Sequence, residues 1–197
     1  MARFTGLSKD VIDQANLRID VAKFTHYLLL DEKVRVGRLD GRLTGPDPDG
    51  LLDTPFYDPT EPSLVPPYAS VFNNYVRTEL GYKTDSPYYV FADDAGMEKW
   101  NWGSSIQGFP DTATALRQAL VKNPYLKVFV MEGYYDLATP YFAANYTMDH
   151  LDLPAKYRAN ISFGTYDAGH MAYLPLQGLR KMKSDEARFI SGAAGGH

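Results

Sequence analysis

The sequence predicts an α/β fold built around a pair of parallel strands. Residues 127–131 and 161–166 are short apolar runs rich in β-branched and aromatic side chains, which is typical of buried strands. Residues 141–150, which lie between them, have the apolar spacing of a helix. A strand, a helix and a second strand in this order favour a right-handed crossover. We therefore expect both strands to end at the same edge of one sheet.

Helical patterns occupy most of the remaining chain. We expect a short helix after Ser8 as its N-cap, and then helices over residues 16–32, 68–80, 111–123 and from Pro175 onward. His26 lies off the apolar stripe of the second of these helices, which predicts a solvated surface position. Residues 37–67 contain seven prolines and are expected to form a loop.

Composition excludes several functional classes. The 197 residues carry a net charge of −4 without a basic run, which argues against a nucleic-acid partner. Cysteine is absent, so disulfides, thiolate metal sites and a cysteine nucleophile are excluded. No apolar run approaches the length that spans a bilayer, and residues 1–10 lack the apolar core of a signal peptide, so we expect no membrane partner.

The chain divides into three parts by pattern. Residues 1–105 read as helix and loop, residues 106–190 as the α/β segment, and residues 191–197 as a linker and tag remnant outside the fold. Two parallel strands cannot cover both faces and both edges of a sheet by themselves. We therefore expect one side of a larger sheet, which either a partner or a second copy of the chain completes.

Two polar residues follow the predicted strands. Asp136 comes just after the first strand. His170 follows the second strand and lies 34 positions after Asp136. In the α/β-hydrolase fold, the catalytic triad has the chain order serine, acid, histidine, so these two match its last two members. The serine would sit upstream in a Gly-x-Ser-x-Gly turn between a strand and a helix. The nearest approach is residues 103–108, with Ser104 and Ser105, but its second glycine is one position late and no strand precedes it.

A family resemblance joins these motifs. The runs GYYDLATP (133–140) and AGH (168–170) resemble the C-terminal signature of the serine carboxypeptidase family in its bacterial form. Weaker similarity extends over roughly residues 4–190 and includes TGLS (5–8), ANLRI (15–19), VGRLD (36–40) and LRQA (116–119).

The resemblance implies a partial α/β-hydrolase sheet with a helical cap in residues 1–105. It makes Asp136 the orienting acid and His170 the general base of an enzyme that cleaves C-terminal peptide bonds or simple esters through an acyl-serine. It implies neither a metal nor an organic cofactor, and a secreted or periplasmic location. The family's nucleophile turn, oxyanion hole and carboxylate-binding residues have no counterpart here, so the resemblance implies an upstream half as partner.

Candidate substrate-binding residues are Tyr135 and Met171, which adjoin the two catalytic candidates, and Trp102 from an aromatic-rich segment. Burial in the cap is the alternative for Trp102.

Other interpretations compete with the hydrolase. The chain can be a catalytically silent module that associates with itself or with a partner, or a small esterase that uses Ser104 or Ser105. Asp47, Asp49 and Asp53 suggest a calcium loop, but the spacing fits no complete EF-hand and a polar turn is favoured. Asp149, His150 and Asp152 suggest metal ligands, but neighbouring residues at a helix end do not converge on one ion.

Overall fold

Two small sheets and a series of helices form the described part of the chain. In this computed structural model, the described residues are 1–48, 50, 57–88, 90, 99–103 and 110–195. The helices are α1 (Ala2–Thr5), α2 (Lys9–Gln14), α3 (Val21–Tyr27), α4 (Glu61–Thr78), α5 (Ala113–Lys122), α6 (Tyr141–Asp149), α7 (Ala155–Arg158) and α8 (Leu176–Ala194). The strands are β1 (Val34–Val36), β2 (Thr44–Pro46), β3 (Val128–Gly133) and β4 (Ile161–Tyr166), and a 3₁₀ turn covers Leu30–Glu32.

Strands β3 and β4 form the parallel pair that the sequence predicts. Their register runs from Val128 opposite Ile161 to Gly133 opposite Tyr166, so both strands end at one edge. Helix α6 connects them as a crossover. The described chain therefore has a mixed α/β fold. Within the described residues, β3 and β4 pair only with each other.

Helices cover both faces of this pair. On one face, Leu120 of α5 packs with Leu151 and Leu153 in a buried cluster, against which Val128 and Ile161 of the two strands also pack. On the other face, the ring of Phe129 stacks on Phe189 of α8 at 5.3 Å between centroids. The alternation of side chains along each strand produces this three-layer arrangement, because successive residues point to opposite faces.

The N-terminal part contains a buried charged cluster that the sequence did not predict. His26 is 0% exposed, so the expectation of a solvated surface histidine is wrong. Its Nδ1 atom lies 2.7 Å from Oδ2 of Asp47 and 2.7 Å from Nη2 of Arg35. Burial follows because β1 and β2 pair as an antiparallel hairpin, which brings Arg35 and Asp47 onto α3.

This cluster also bears on the calcium interpretation. Asp47 is engaged by His26 and by Nε of Arg35 at 3.2 Å, while Asp49 and Asp53 lie outside the described residues. Among the residues that the structure describes, no group of three or more His, Asp or Glu side chains is arranged to hold a metal ion.

The predicted helix over residues 16–32 is wrong at its start. Asn16 and Leu17 have left-handed backbone angles, with φ of 49° and 63°, so they do not belong to a right-handed helix. Helix α3 begins only after Asp20, whose carboxylate accepts a hydrogen bond from the Lys23 backbone N–H at 2.8 Å. Leu17 is accordingly 62% exposed and does not join the apolar stripe.

The predicted loop over residues 37–67 is wrong in its interior and at its C-terminal end. It contains β2, and α4 begins at Glu61 with Pro62 in its first turn and Pro66 and Pro67 inside it. Proline in the first turn costs nothing in hydrogen bonding, because those N–H groups have no helical partner. Pro66 and Pro67 are solvent-exposed, where water satisfies the carbonyls they leave unpaired.

The last helix extends beyond the predicted end of the fold. Helix α8 follows Pro175, as expected, and continues to Ala194, so residues 191–194 are helical. Tyr166 of β4 donates a hydrogen bond to Asp185 of α8 at 3.2 Å, which fixes this helix on the sheet. No helix among the described residues has the length and apolar character needed to cross a bilayer.

Candidate active site

Asp136 lies in the turn between β3 and α6, with 5% of its surface exposed. Its Oδ1 atom accepts hydrogen bonds from the backbone N–H groups of Ala138 at 2.7 Å and Thr139 at 2.9 Å. Its Oδ2 atom contacts the Thr139 hydroxyl at 2.6 Å and Nδ1 of His170 at 2.9 Å. Burial raises the pKa of this carboxyl, but the hydrogen bonds from Thr139 and His170 outweigh burial and hold the pKa below its ordinary value of 3.8. Asp136 is therefore an ionised acceptor at neutral pH.

His170 lies in the turn after β4, with its side chain 42% exposed. Among the described residues, its ring makes hydrogen bonds only through Nδ1, to Asp136 and to the Thr139 hydroxyl at 3.2 Å. The two sequence-predicted residues are thus brought together at the shared edge of the strands. An imidazole held at Nδ1 by a buried carboxylate has the geometry of the acid–base half of a catalytic triad.

The turns carrying these two residues approach each other closely. A Cβ atom on Gly133 would lie 2.0 Å from the carbonyl oxygen of Gly169. A Cβ on Gly169 would in turn lie 2.3 Å from the carbonyl oxygen of Leu39. Only glycine at both positions allows the two turns and the N-terminal part to meet.

The segment from Arg38 to Arg42 holds both turns in place. The Leu39 carbonyl accepts the His170 backbone N–H at 2.7 Å, and the Arg38 carbonyl accepts that of Leu137 at 3.1 Å. Gly41 donates its N–H to the Tyr135 carbonyl at 2.9 Å. The sequence showed this segment only as part of a resembling motif, because no property of these residues indicates which distant backbone groups they bind.

Tyr135 and Met171, two of the predicted substrate-binding residues, take different positions. The Arg42 guanidinium carbon lies 4.4 Å from the centroid of the Tyr135 ring and partly covers it. Tyr135 therefore packs against Arg42 and supports the site. Met171 lines two neighbouring cavities beside His170, with volumes of about 50 and 220 Å³. The larger is mainly apolar and includes Leu64, Tyr68 and Tyr173, with the Glu61 carboxylate at its wall.

Trp102, the third predicted residue, is half-buried and does not line either of these two cavities. Ser104 and Ser105 lie outside the described residues. Among the residues that are described, no serine hydroxyl is hydrogen-bonded to His170.

The residues considered as metal ligands after α6 have separate partners. Nδ1 of His150 lies 2.7 Å from the Tyr146 carbonyl and its ring stacks on Tyr146, while Asp152 pairs with Arg117 at 3.2 Å. His150 and Asp152 therefore contact different groups, His150 within its own helix end and Asp152 on α5.

Thr139 contacts both candidate catalytic residues and is not among those that the sequence predicts. Pro140 occupies the N-cap position of α6, and no side chain caps this helix. The Thr139 hydroxyl instead contacts both Asp136 and His170. The available signal was its position three residues after the acid, where a hydroxyl can turn back onto the preceding carboxylate.

Comparison with models of protein families, with curated proteins and with solved structures found no match for this chain. The described chain has a mixed α/β fold, and the feature that bears on its function is the Asp136–His170 pair.

Proposed function

We propose that the chain is the acid–base part of a serine hydrolase of the α/β-hydrolase fold, similar to the serine carboxypeptidases. In this proposal Asp136 orients His170, and His170 takes the proton of a serine hydroxyl and returns it to the leaving group. The hydrolysed bond is a C-terminal peptide bond or a simple ester, and no metal or cofactor takes part.

The observation that carries the proposal is the contact between Oδ2 of Asp136 and Nδ1 of His170 at 2.9 Å. The acid is buried and the imidazole side chain is 42% exposed, and among the described residues the ring forms hydrogen bonds through Nδ1 and none through Nε2. In an ordinary surface ion pair both partners are exposed to solvent. The Asp136 carboxylate is instead buried and accepts four hydrogen bonds, which is typical of a functional site.

The nucleophile is proposed to come from a second polypeptide segment that completes the sheet. Support for this comes from β3 and β4, which among the described residues pair only with each other, and from Met131 and Phe163, which are each 42% exposed on these strands. Large apolar side chains on an open sheet are favourable binding surface for a further strand or helix.

The mainly apolar cavity beside Met171 is proposed to hold an apolar side chain of the substrate. Two of its lining residues place the cavity close to His170. Met171 is the next residue in the chain, and the Leu39 carbonyl accepts the His170 backbone N–H. A pocket of about 220 Å³ has the size of a large side chain and not of a whole substrate.

A second candidate function is a catalytically silent module that binds a partner or a second copy of itself. The same two strands and their exposed apolar side chains favour it, and it predicts that His170 has no effect on any reaction. The two candidate functions therefore predict different effects of one substitution, His170→Ala.

The test compares hydrolysis by the chain, purified together with any chain that it binds in its source cells, with that of variants. His170→Ala is expected to reduce turnover of a chromogenic short-chain ester and of a blocked dipeptide by at least about 10³-fold. His150→Ala, which changes the exposed histidine directly after α6, is the matched control and should retain turnover. Equal hydrolysis by wild type and His170→Ala contradicts the proposal, and absence of hydrolysis by the wild-type preparation favours the silent module.

A further inference from the structure

The Thr139 hydroxyl lies between the two members of the candidate catalytic pair. Its oxygen is 2.6 Å from Oδ2 of Asp136 and 3.2 Å from Nδ1 of His170. The acid and the imidazole are themselves 2.9 Å apart through the same two atoms. Three polar atoms thus form a closed triangle, with two protons available to connect them.

The positions of these protons follow from donor and acceptor capacity. An ionised carboxylate only accepts, and a hydroxyl has one proton to donate. Since the shortest contact joins the hydroxyl to Oδ2 of Asp136, the Thr139 proton lies there. The Thr139 oxygen then faces Nδ1 of His170 with its lone pairs, so Nδ1 must carry a proton that it shares between Oδ2 and the hydroxyl.

Thr139 also fixes the plane of the carboxylate. Its backbone N–H donates to Oδ1 of Asp136 at 2.9 Å while its hydroxyl donates to Oδ2. Because one residue holds both oxygens, rotation of the carboxylate away from His170 breaks a hydrogen bond. The hydroxyl has no competing role in the adjacent helix, since α6 has no side-chain cap.

We propose that Thr139 is a positioning residue: its hydroxyl and its backbone N–H hold the Asp136 carboxylate in the orientation that accepts the Nδ1 proton of His170, which leaves Nε2 as the basic nitrogen. The consequence for turnover rests on the proposed function, whereas the proton position is a property of the chain itself. Thr139→Val removes the hydroxyl at nearly constant shape, and Thr139→Ser restores it.

The experiment reads the protonation of His170 by long-range ¹H–¹⁵N correlation on the purified chain with ¹⁵N-labelled histidine. The His170→Ala spectrum identifies the His170 signals among those of the four histidines. The wild-type chain and Thr139→Ser are expected to show the Nδ1–H form. Thr139→Val is expected to raise the ratio of the Nε2–H form to the Nδ1–H form by about tenfold, because the carboxylate loses the hydroxyl that holds Oδ2.

Thr147→Val is the matched control, because it removes an exposed hydroxyl of α6 that bonds only to the Ala143 carbonyl at 2.9 Å. It should leave the His170 spectrum unchanged. In a preparation with hydrolytic activity, Thr139→Val should lower turnover by about tenfold and Thr139→Ser by less than about twofold, as expected for the loss and retention of one charge-assisted hydrogen bond.

Two results overturn the inference. One is an Nε2–H form in the wild-type chain, which needs no variant to fold. The other is an unchanged Nδ1–H form in Thr139→Val, even if that variant is less stable. Absence of hydrolysis with the expected spectra contradicts the proposed function alone, and normal hydrolysis with an unchanged Nδ1–H spectrum in Thr139→Val contradicts the role of Thr139 alone.

Discussion

Gly133 and Gly169 meet at the base of the two turns that carry Asp136 and His170. The α-carbon of Gly133 faces the Gly169 carbonyl so closely that a Cβ atom there would lie 2.0 Å from the carbonyl oxygen and 2.7 Å from its carbon. Neither obstacle is a flexible side chain, so the backbone itself has to move to accept a larger residue. The distance between the acid and the base therefore depends on the absence of a methyl group.

Gly133→Ala is expected to destabilise the chain by about 3 kcal/mol, at the upper end of the usual cost of overpacking. The matched control is Gly192→Ala in α8, where a Cβ meets no atom within 4 Å. Because alanine favours a helix over glycine, this control should be neutral or stabilising by up to about 1 kcal/mol. Chemical denaturation of both variants measures the difference, and equal stability of the two would show that the turns are not in contact.

The low pKa of Asp136 predicts acid sensitivity. The unfolded chain binds a proton near pH 3.8, whereas hydrogen bonds from Thr139 and His170 keep the folded carboxyl ionised to lower pH. This contribution to stability is present above about pH 3.8 and is lost as the pH falls through the lower folded pKa.

Denaturation at a series of pH values therefore distinguishes Asp136→Asn from the wild type. The wild-type chain should be the more stable at pH 6, and its advantage should shrink as the pH falls below about 3.8. Asp149→Asn, at an exposed position of α6, is the control without such a trend. A difference that stays constant with pH would mean that the Asp136 carboxylate is not specifically stabilised by the fold.

Tyr166 predicts a change at the alkaline end. Burial of its ring, with Asp185 beside its hydroxyl, raises the pKa of Tyr166 to about 12 from an ordinary 10.0. Between these two pH values the unfolded chain loses the phenol proton while the folded chain keeps it, so stability falls as the pH rises.

Tyr166→Phe should cost about 1 kcal/mol at pH 8, because it removes the hydrogen bond to Asp185. That difference should shrink between about pH 10 and 12, since phenylalanine has no proton to lose. Tyr125→Phe, at a side chain that is 76% exposed, serves as the comparison. A stability difference for Tyr166→Phe that is independent of pH would contradict this assignment.

Several parts of this fold could be predicted from the sequence because their signals are local. Strand β4 coincides with the predicted residues 161–166, β3 differs by one or two residues at each end, and Ser8 caps α2 through the Val11 N–H at 3.2 Å. Apolar runs, helical spacing and capping residues act within a few positions along the chain, so they can be read without knowing the tertiary structure.

The failures share a dependence on distant partners. His26 is buried because Arg35 and Asp47, which lie 9 and 21 positions away, converge on it, and its own neighbours along the chain give no sign of this. Arg38 and Leu39 read as loop, yet they bind the backbone of both candidate catalytic turns. That Asp136 and His170 lie close together could be predicted, because their order after two parallel strands carries positional information. The contacts of Thr139 with both residues depend on the tertiary structure.

Because β3 and β4 pair only with each other among the described residues, we predict that the chain does not remain a monomer by itself. Burial of apolar surface contributes on the order of 25 cal/mol per Å², which favours a second copy or a partner over the exposed strands. Analytical ultracentrifugation should detect self-association, and Met131→Lys should weaken it by placing a charge on β3. A compact, well-folded monomer at micromolar concentration would contradict this picture, as would full association of Met131→Lys.

The most direct test of the account is labelling by a serine-directed fluorophosphonate, with the adduct located by mass spectrometry. It is applied to the chain purified together with any polypeptide that it binds, and to the His170→Ala preparation in parallel. The proposed function predicts one labelled serine in the wild-type preparation, on this chain or on its partner, and loss of that label with His170→Ala. A label that persists without His170, or a wild-type preparation in which no serine is labelled, would contradict the assignment of Asp136 and His170 as the acid and base of a serine hydrolase.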